Sequence, residues 1–197
     1  MHLMPVARLA AFGLAVLPVA AHAEPARYDV DPEHASVAFE VTHLDYYTQV
    51  GMFTDVAGGF TFDPETQSLS DLEVVIQTES VFTGLEKRDE HLRSADFLNI
   101  GEFPEMTFTM TDAQAVSETE GTVTGDLTLL GVTKPVTLNV TLNKVAVYPF
   151  GHGKETVGID ATTTITRSEF GMSYFAQPGG VGDQIPIQIG LEAIIAE

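Results

Sequence analysis

The sequence contains no cysteine, which excludes several classes of protein. Without cysteine there is no disulfide framework, no thiolate metal site and no cysteine nucleophile, so stability has to come from a continuous packed core. Cationic residues are also scarce, because 9 lysines and arginines stand against 28 aspartates and glutamates, for a formal net charge of −19. A surface this acidic repels nucleic acid and anionic membranes, so we expect neither as a partner.

Long hydrophobic runs are missing beyond the N-terminus. After a short basic start, residues 9–20 are apolar and Ala21-His22-Ala23 has the small-x-small pattern of a cleavage site. This arrangement predicts a secretory signal peptide over residues 1–23, and its apolar part is too short to span a membrane. We therefore expect one exported domain over residues 24–197, located in the periplasm and without a stable membrane anchor.

The rest of the sequence is dominated by a two-residue alternation of apolar and polar side chains. In residues 136–142, valine and leucine alternate with threonine and asparagine, which is typical of a strand with one buried face. About eight such segments are separated by glycine, proline, aspartate and asparagine turns: Val37–Val41, Gly58–Phe62, Leu72–Ile76, Met106–Met110, Val123–Leu129, Val136–Leu142, Val157–Ile165 and Ile185–Ala193.

Eight antiparallel strands of this length can close into a barrel, which leaves no unpaired edge. The sequence therefore predicts one all-β domain built as an eight-stranded antiparallel barrel. A barrel of this size is either filled by its own side chains or holds one small ligand. The alternation alone does not distinguish a filled barrel from a hollow one.

One stretch interrupts the alternation with dense mixed charge and a helical spacing. We predict a short capping helix at about residues 85–99, in which Leu85, Leu92 and Phe97 face the barrel. The charged residues of this helix are expected to face water: Glu86, Lys87, Glu90 and Arg93. A second irregular segment, residues 170–180, is rich in aromatic residues and glycine, and is predicted to form a long loop near the barrel mouth.

Histidines are the main candidates for a metal site, although none has the His-Glu-x-x-His spacing of a metal-binding helix. His34 and His43 flank one predicted strand, with Asp31 and Asp45 nearby in the sequence. They could bind a metal if the barrel brought His91 close to them. Hydrogen bonding of His34 and His43 at strand ends is the simpler interpretation, and no metal is predicted.

Arg88 and Asp89 allow two interpretations. Either they form a charge pair that anchors the helix to the barrel rim, or Arg88 or His91 lies near the mouth and hydrogen-bonds the polar end of a ligand. An enzyme acting on a lipid through His43, Asp89 or His91 is a further alternative. Because no nucleophile–base pair is evident, the sequence predicts a protein that is not an enzyme.

The charged stretch also resembles the signature of a known family. It reads Arg88-Asp89-x-His91-Leu92-Arg93-Ser94-Ala95-Asp96-Phe97, followed by Phe103-Pro104-x-x-Thr107-Phe108. This closely resembles the YceI-like family of periplasmic, lipocalin-like proteins that bind polyisoprenoids. The resemblance continues, in order, over nearly all of the chain beyond residue 23, at Tyr28-x-Val30-Asp31-Pro32-x-His34-Ala35-x-Val37-x-Phe39-x-Val41-x-His43, Gly51-x-Phe53, Gly59-Phe60-x-Phe62-Asp63, Gly125-Asp126-Leu127-Thr128-Leu129-x-Gly131-Val132-Thr133-Lys134-Pro135-Val136, Arg167-x-x-Phe170-Gly171-Met172 and Ile189-x-Leu191-Glu192-Ala193.

The resemblance implies a lipocalin-like barrel whose long apolar tunnel holds an isoprenoid lipid or quinone tail, or a similar long-chain amphiphile, with no other cofactor. Such a protein carries or sequesters its ligand in the periplasm, and a homodimer is left open. The alternative is an outer-membrane barrel. That alternative is disfavoured because the chain has no tryptophan for an aromatic girdle, ends without an aromatic residue and contains a long helical excursion.

Two groups of residues are assigned to the ligand site on this basis. The residues expected to line the tunnel and contact the ligand are Phe39, Val41, His43, Phe53, Phe60, Phe62, Leu72, Val74, Ile76, Leu92, Phe97, Phe108, Leu127, Leu138, Val140, Ile159, Phe170, Tyr174, Phe175 and Ile187. The residues expected at the cap or rim are Arg88, Asp89 and His91.

Overall fold

The alternating segments pair into one antiparallel sheet. The computed structural model describes residues 24–197, so the predicted signal peptide over residues 1–23 lies outside the described residues. The described part contains one α-helix, α1 (Glu86–Arg93), two 3-10 turns, Thr78–Ser80 and Arg167–Phe170, and ten strands: β1 (Ala26–His43), β2 (Tyr47–Phe53), β3 (Val56–Asp63), β4 (Ser68–Gln77), β5 (Val81–Phe82), β6 (Glu105–Ala115), β7 (Glu120–Leu129), β8 (Val132–Val147), β9 (Glu155–Thr166) and β10 (Gln184–Ile195). Within residues 24–197, no helix has the length and hydrophobicity needed to cross a membrane.

Strand β1 closes the sheet into a barrel because it pairs along both of its edges. One edge pairs with β10, from Tyr28 opposite Ile195 to Phe39 opposite Ile187. The other edge pairs first with β3 and then with β2. The order around the barrel is β1, β3, β4, β6, β7, β8, β9 and β10, and these eight strands are the eight predicted segments. The predicted closed antiparallel barrel is confirmed.

Two short strands, β2 and β5, are not predicted from the sequence. Strand β2 pairs with the C-terminal half of β1, so β2 and β3 lie end to end along β1, and β5 pairs with the end of β2. The alternation in β2 is hidden because Tyr47 and Val50 are half exposed and Gly51 interrupts the apolar face. A side chain at Gly51 would overlap the ring of Phe39, its partner on β1, so a larger residue at this position would force that ring to shift.

Inward and outward faces differ sharply in chemistry, as β8 illustrates. Its residues Val136, Leu138 and Val140 face the interior of the barrel. The residues that alternate with this inward-facing set along the strand are exposed: Thr137, Asn139, Thr141 and Asn143. Because side chains of a strand point alternately to opposite faces, the two-residue pattern of the sequence becomes an apolar interior and a polar exterior.

Aromatic packing fills one end of the barrel, called here the lower end. The ring of Tyr28, which is 1% exposed, stacks on Phe60 at a centroid distance of 5.8 Å and meets Phe62 edge-on at 6.5 Å. The Tyr28 hydroxyl donates a hydrogen bond of 2.5 Å to Oε1 of Glu155. Burial, together with this hydrogen bond, raises the pKa of Tyr28, so the hydroxyl stays protonated and available as a donor.

The capping helix is shorter than predicted. It spans Glu86–Arg93 rather than about residues 85–99, because the chain at Ser94 turns to extended backbone and the Ser94 hydroxyl donates to the carbonyl of His91. Residue Leu85, predicted to face the barrel, is 52% exposed, whereas Leu92 and Phe97 do face the interior. The prediction that Arg93 faces water is also wrong, since its guanidinium donates to carbonyls at the barrel rim.

The lower end provides a test of the packing. Replacing Tyr28 with phenylalanine keeps the stacked ring but removes the donor to Glu155, and we expect the free energy of unfolding to fall by about 1–2 kcal/mol. Urea unfolding measures the change. The matched control is Tyr46→Phe, because Tyr46 is 86% exposed, and it should shift the free energy by less than about 0.5 kcal/mol. Equal effects of the two substitutions would contradict this account of the lower end.

Candidate functional site

An apolar cavity of about 530 Å³ lies inside the barrel. It falls within the range of about 300–1,000 Å³ that is usual for small-molecule sites. Each of the eight barrel strands contributes inward-facing side chains to its wall, and α1 with the segments that follow it covers one end. The barrel is therefore hollow rather than filled by its own side chains.

Most of the predicted ligand-binding residues lie on the wall of this cavity. They are Phe39, Val41, His43, Phe53, Phe60, Leu72, Val74, Ile76, Leu92, Phe97, Phe108, Leu127, Leu138, Val140, Ile159, Tyr174, Phe175 and Ile187. Their contact with a ligand stays a prediction. Since inward-facing positions of a closed barrel necessarily surround its interior, the alternation of the sequence accounts for this placement.

Two predicted residues, Phe62 and Phe170, are not on the wall of the main cavity. Phe62 lines a second cavity of about 220 Å³ at the lower end, between the β3–β4 and β6–β7 turns. Phe60 borders both cavities, so the aromatic cluster of the lower end stands between them. Phe170 is 2% exposed and packs into the hydrophobic core at the other end of the barrel.

The upper end of the cavity, called here the mouth, lies between α1 with the turn after it and the loop of residues 171–183. The ring of Tyr174 lies 5.4 Å from the ring of His91 and 5.2 Å from that of Phe97, centroid to centroid. Tyr174 and Phe175 line the cavity and are also 45% and 46% exposed. The predicted loop near the mouth is therefore present, and the cavity approaches solvent beside these two aromatic residues.

Arg88 and Asp89 anchor the helix to the rim, but they do so through Thr83 rather than by pairing with each other. The carboxylate of Asp89, which is 2% exposed, accepts hydrogen bonds from the Thr83 amide at 3.0 Å and from the Thr83 hydroxyl. The guanidinium of Arg88 donates to the same hydroxyl at 2.7 Å and to the Thr83 carbonyl at 2.8 Å. The predicted charge pair is thus corrected to a three-residue network centred on Thr83.

Arg167 is the residue at the mouth that sequence reasoning missed. It is 3% exposed, and its guanidinium donates to four carbonyls, those of Gly182, Met172, Tyr174 and Val181, at 2.8–3.0 Å. Burial lowers the pKa of Arg167, and the charge of nearby Asp183 opposes this effect. All four acceptors belong to the loop 171–183, so one buried cation fixes the shape of that loop.

The same guanidinium also connects the loop with the capping segment. Its central carbon lies 5.9 Å from the centroid of the Phe97 ring, within the range of a cation–π contact. Two further hydrogen bonds, from the amide and the hydroxyl of Ser168 to the carboxylate of Asp183, tie the base of the loop together. The only sequence signal for Arg167 was its place in the motif that ends at Met172.

The three residues weighed as catalytic groups do not form a catalytic arrangement in the described structure. Asp89 is engaged by Thr83, and Nε2 of His91 lies 3.0 Å from the carboxylate of Asp96. His43 packs against the ring of Tyr47 at 5.7 Å. Within residues 24–197, no hydrogen bond joins any two of His43, Asp89 and His91.

The metal set considered from the sequence is not formed either. His91 lies at the mouth beside Phe97, and His43 borders the cavity. His34 is on the outer surface, where its Nδ1 lies 2.8 Å from Asp31. His34 does form a hydrogen bond, to Asp31, but it lies in the middle of β1 rather than at a strand end, while His43, the last residue of β1, contacts the ring of Tyr47.

Both the sequence and the fold are similar to those of known proteins. A family model described as a YceI-like domain matches residues 28–193. A UPF0312 protein of Pseudomonas putida (strain W619) is 38% identical over 186 residues, which cover 93% of this chain and 94% of that protein. The crystal structure of a Campylobacter jejuni YCEI protein is 33% identical, with a TM-score of 0.69 over 75% of this chain and 85% of that one.

A more distant structural neighbour shares the fold. It is a polyisoprenoid binding domain from Saccharophagus degradans implicated in plant cell wall breakdown. The TM-score is 0.63 at 17% identity, over 88% of this chain and 100% of that domain. At this identity the likeness concerns the fold alone.

The role of Arg167 can be tested by replacing it with lysine. Lysine keeps the charge but offers three donors from one point, so it does not reproduce the planar fork that serves four carbonyls. We expect the free energy of unfolding to fall by about 2–3 kcal/mol and amide hydrogen exchange to accelerate in residues 172–182. The control is Arg27→Lys, because the Arg27 side chain is 42% exposed. If both variants exchange and unfold alike, Arg167 does not hold the loop.

Proposed function

We propose that this chain, which belongs to the YceI-like domain family, binds a polyisoprenoid or a similar long-chain amphiphile inside its barrel and carries or sequesters it in the periplasm. The observation that carries the proposal is the cavity of about 530 Å³ with apolar walls. Transfer of apolar surface from water into such a cavity is favourable by about 25 cal/mol per Å². A polyprenyl quinone is a suitable example, since its tail exposes a large apolar area in water.

The distribution of polar groups favours a ligand with a long tail and a single polar end. Along the middle of the barrel the wall is formed by residues such as Val74, Leu127 and Ile189. Polar and charged side chains that border the cavity are concentrated towards the mouth: His43, Gln49, Thr83, Arg88, His91 and Arg167. A chain inserted tail first therefore leaves its head group at the mouth.

Head-group recognition is expected to be limited. The donors of Arg88 are directed at Thr83, and those of Arg167 are directed at carbonyls of the loop. Because these guanidinium groups already have partners, they are poorly placed to bind an anionic head group without breaking hydrogen bonds of the fold. We infer that the protein selects its ligand by the length of the apolar tail more than by the head group.

The outward-facing residues favour a carrier surrounded by water over the alternative of an outer-membrane barrel. Transmembrane barrels direct apolar side chains outwards, to the lipid, and their interiors are polar. Here the arrangement is reversed, because Thr137, Asn139 and Thr141 are exposed while Val136 and Val140 face the cavity. The polar exterior and apolar interior therefore support a carrier surrounded by water rather than an outer-membrane barrel.

Binding is proposed in preference to catalysis. The catalytic candidates Asp89 and His91 have hydrogen-bond partners that belong to the architecture of the cap, Thr83 and Asp96. The structural neighbour named as a polyisoprenoid binding domain is an example of this fold in a binding protein. The absence of a resident cofactor stays a prediction. Whether the protein forms a homodimer is left open.

The periplasmic location rests on the sequence pattern of residues 1–23. A basic start, an apolar run and a small-x-small site are the features read by the secretory machinery. Export would place the barrel between two membranes. A long-chain amphiphile that crosses this aqueous space needs a protein that shields its apolar tail from water.

Ligand binding is tested by isolating the protein without detergent from an osmotic-shock fraction. We expect mass spectrometry of an organic extract to detect a long-chain amphiphile, and the delipidated protein to gain thermal stability with added polyprenyl quinones as tail length increases. Each buried CH₂ group should contribute about 0.8 kcal/mol until the cavity is filled. An extract without amphiphile, together with no shift in Tm at any tail length, would refute the binding. Recovery only in the membrane pellet would refute the location.

The cavity itself is tested by filling it with one side chain. Ala161 lies on its wall and is 5% exposed, whereas the next residue along β9, Thr162, is exposed on the outer face. We expect Ala161→Trp to abolish the ligand-dependent rise in Tm and Thr162→Trp to preserve it. The chain contains no other tryptophan, so the emission wavelength reports directly whether each new indole is buried. Full ligand response in a variant whose indole is buried would place the ligand elsewhere.

A further inference from the structure

A large bulge in β1 lies on the outer surface of the barrel, away from the cavity. Val30 pairs with Ala193 of β10, and the next pairing residue of β1 is Ala35, opposite Leu191. The four residues from Asp31 to His34 therefore face a single residue of β10, Glu192. Extra residues in one strand of a pair are pushed out of the ladder and re-aim their side chains. This bulge carries Asp31 and His34 over the side chain of Glu192.

The three side chains bring metal-ligating atoms together. Nδ1 of His34 lies 2.8 Å from Oδ2 of Asp31 and 3.8 Å from Oε2 of Glu192. The three ligand atoms all lie within 4.8 Å of one another. Metal–ligand bonds of about 2.0–2.2 Å require donors roughly 3–4 Å apart, so small rotamer adjustments suffice to surround an ion.

Glu192 supplies a second, independent observation. Its Oε2 atom is inaccessible to solvent, and it has no hydrogen-bond partner within the described residues 24–197. Buried carboxylate oxygens in proteins are normally paired, because removing one from water without a partner is costly. The atom lies 3.8 Å from Nδ1 of His34, within ion-pair distance but too far for a hydrogen bond, although the Glu192 side chain as a whole is 33% exposed.

We infer that Asp31, His34 and Glu192 form a binding site for a divalent transition-metal ion of the zinc type. One imidazole and two carboxylates supply three of the four donors of a zinc site and a charge of −2, and water completes the coordination. The imidazole favours zinc over magnesium and calcium, which prefer oxygen donors alone. The site lies outside the barrel, so it does not depend on the proposed lipid-binding function.

The surroundings of the site favour a cation. The carboxylates of Asp31, Glu192 and Glu33 all place negative charge near His34, which attracts a cation to this part of the surface. A second imidazole is close, since His152 of the β8–β9 turn acts electrostatically on Asp31. Nδ1 of His152 accepts a hydrogen bond from the Lys154 amide, so its lone pair is already engaged and His152 is not counted among the ligands.

The same chain contains a matched pair that lacks the third ligand. Nε2 of His91 lies 3.0 Å from Oδ2 of Asp96, and these side chains are 46% and 50% exposed. The His34 side chain is 48% exposed, so the two histidines are alike in exposure and in having an aspartate partner. Among the described residues, only Asp31, His34 and Glu192 form a group of three or more potential ligands. A difference in zinc binding between the two pairs therefore measures the contribution of the complete set.

The experiment is a calorimetric titration of tag-free protein with Zn²⁺, in the presence of excess Mg²⁺ to occupy the acidic surface. We expect one equivalent of Zn²⁺ to bind to the wild type and to His91→Ala, and to raise the Tm of both. His34→Ala and the isosteric Glu192→Gln should each lower the affinity by more than about tenfold. Both substituted side chains are partly exposed, and the Tm without metal checks that each variant folds.

Two results would overturn the inference. Displacement of Zn²⁺ by Mg²⁺ would show that the acidic surface binds cations without a defined site. Wild-type affinity in either His34→Ala or Glu192→Gln would show that zinc binds at other residues.

Discussion

The pairing of β1 with β10 is the constraint on which the rest of the molecule depends. The first and last strands of the chain meet over most of their length, and this contact turns a sheet with two edges into a closed wall. Only a closed wall can keep water from a largely apolar interior that its own side chains do not fill. The length of β1, 18 residues, makes the closure possible, because one edge accommodates β10 while the other accommodates β3 and β2 in succession.

A hollow barrel is less stable than a filled one, because part of its hydrophobic core faces an empty space. Side chains that border an empty space lose the dispersion contacts that a neighbour would supply, at about 24 cal/mol per Å³ in cavity-creating substitutions. The buried residues form two clusters, one around Tyr28 at the lower end and a larger one that includes Phe170 and much of the cavity wall. Among the charged residues, Asp89 and Arg167 are both buried at the mouth. Much of the hydrophobic core therefore also forms the wall of the cavity.

The strands of the barrel were predictable because burial on one face leaves a periodic signal in the sequence. All eight alternating segments became barrel strands, whereas β2 and β5 left no such signal, since one contains Gly51 and the other has two residues. The helix was predicted too long because apolar residues continue past Arg93, although the chain there forms turns. Periodicity indicates which face of a strand or helix a residue occupies. It does not indicate at which residue the backbone hydrogen bonds of a helix end.

The polar groups at the mouth were less predictable, for a different physical reason. Arg167 and Arg88 donate to backbone carbonyls, which every residue carries, so their partners leave no recognisable side-chain pattern. Likewise Asp31 and His34 are visible as neighbours in the sequence, but Glu192 joins them only through the closure of β1 onto β10. Contacts created by distant strand pairing become visible only in three dimensions.

The attachment of Arg167 has a consequence for how fast a bound molecule can leave. Arg167 lies in the 3-10 turn that precedes the loop 171–183, so its four hydrogen bonds hold the loop to the end of β9 and break if the loop swings outwards alone. Such a movement also separates the Tyr174 ring from His91 and Phe97, and it breaks the backbone hydrogen bonds between the loop and the end of β1. Departure through an opened loop therefore requires breaking hydrogen bonds as well as separating aromatic rings. On the proposed function, the residence time of the ligand is governed by how firmly this loop is attached, while its affinity is governed by the depth of the barrel.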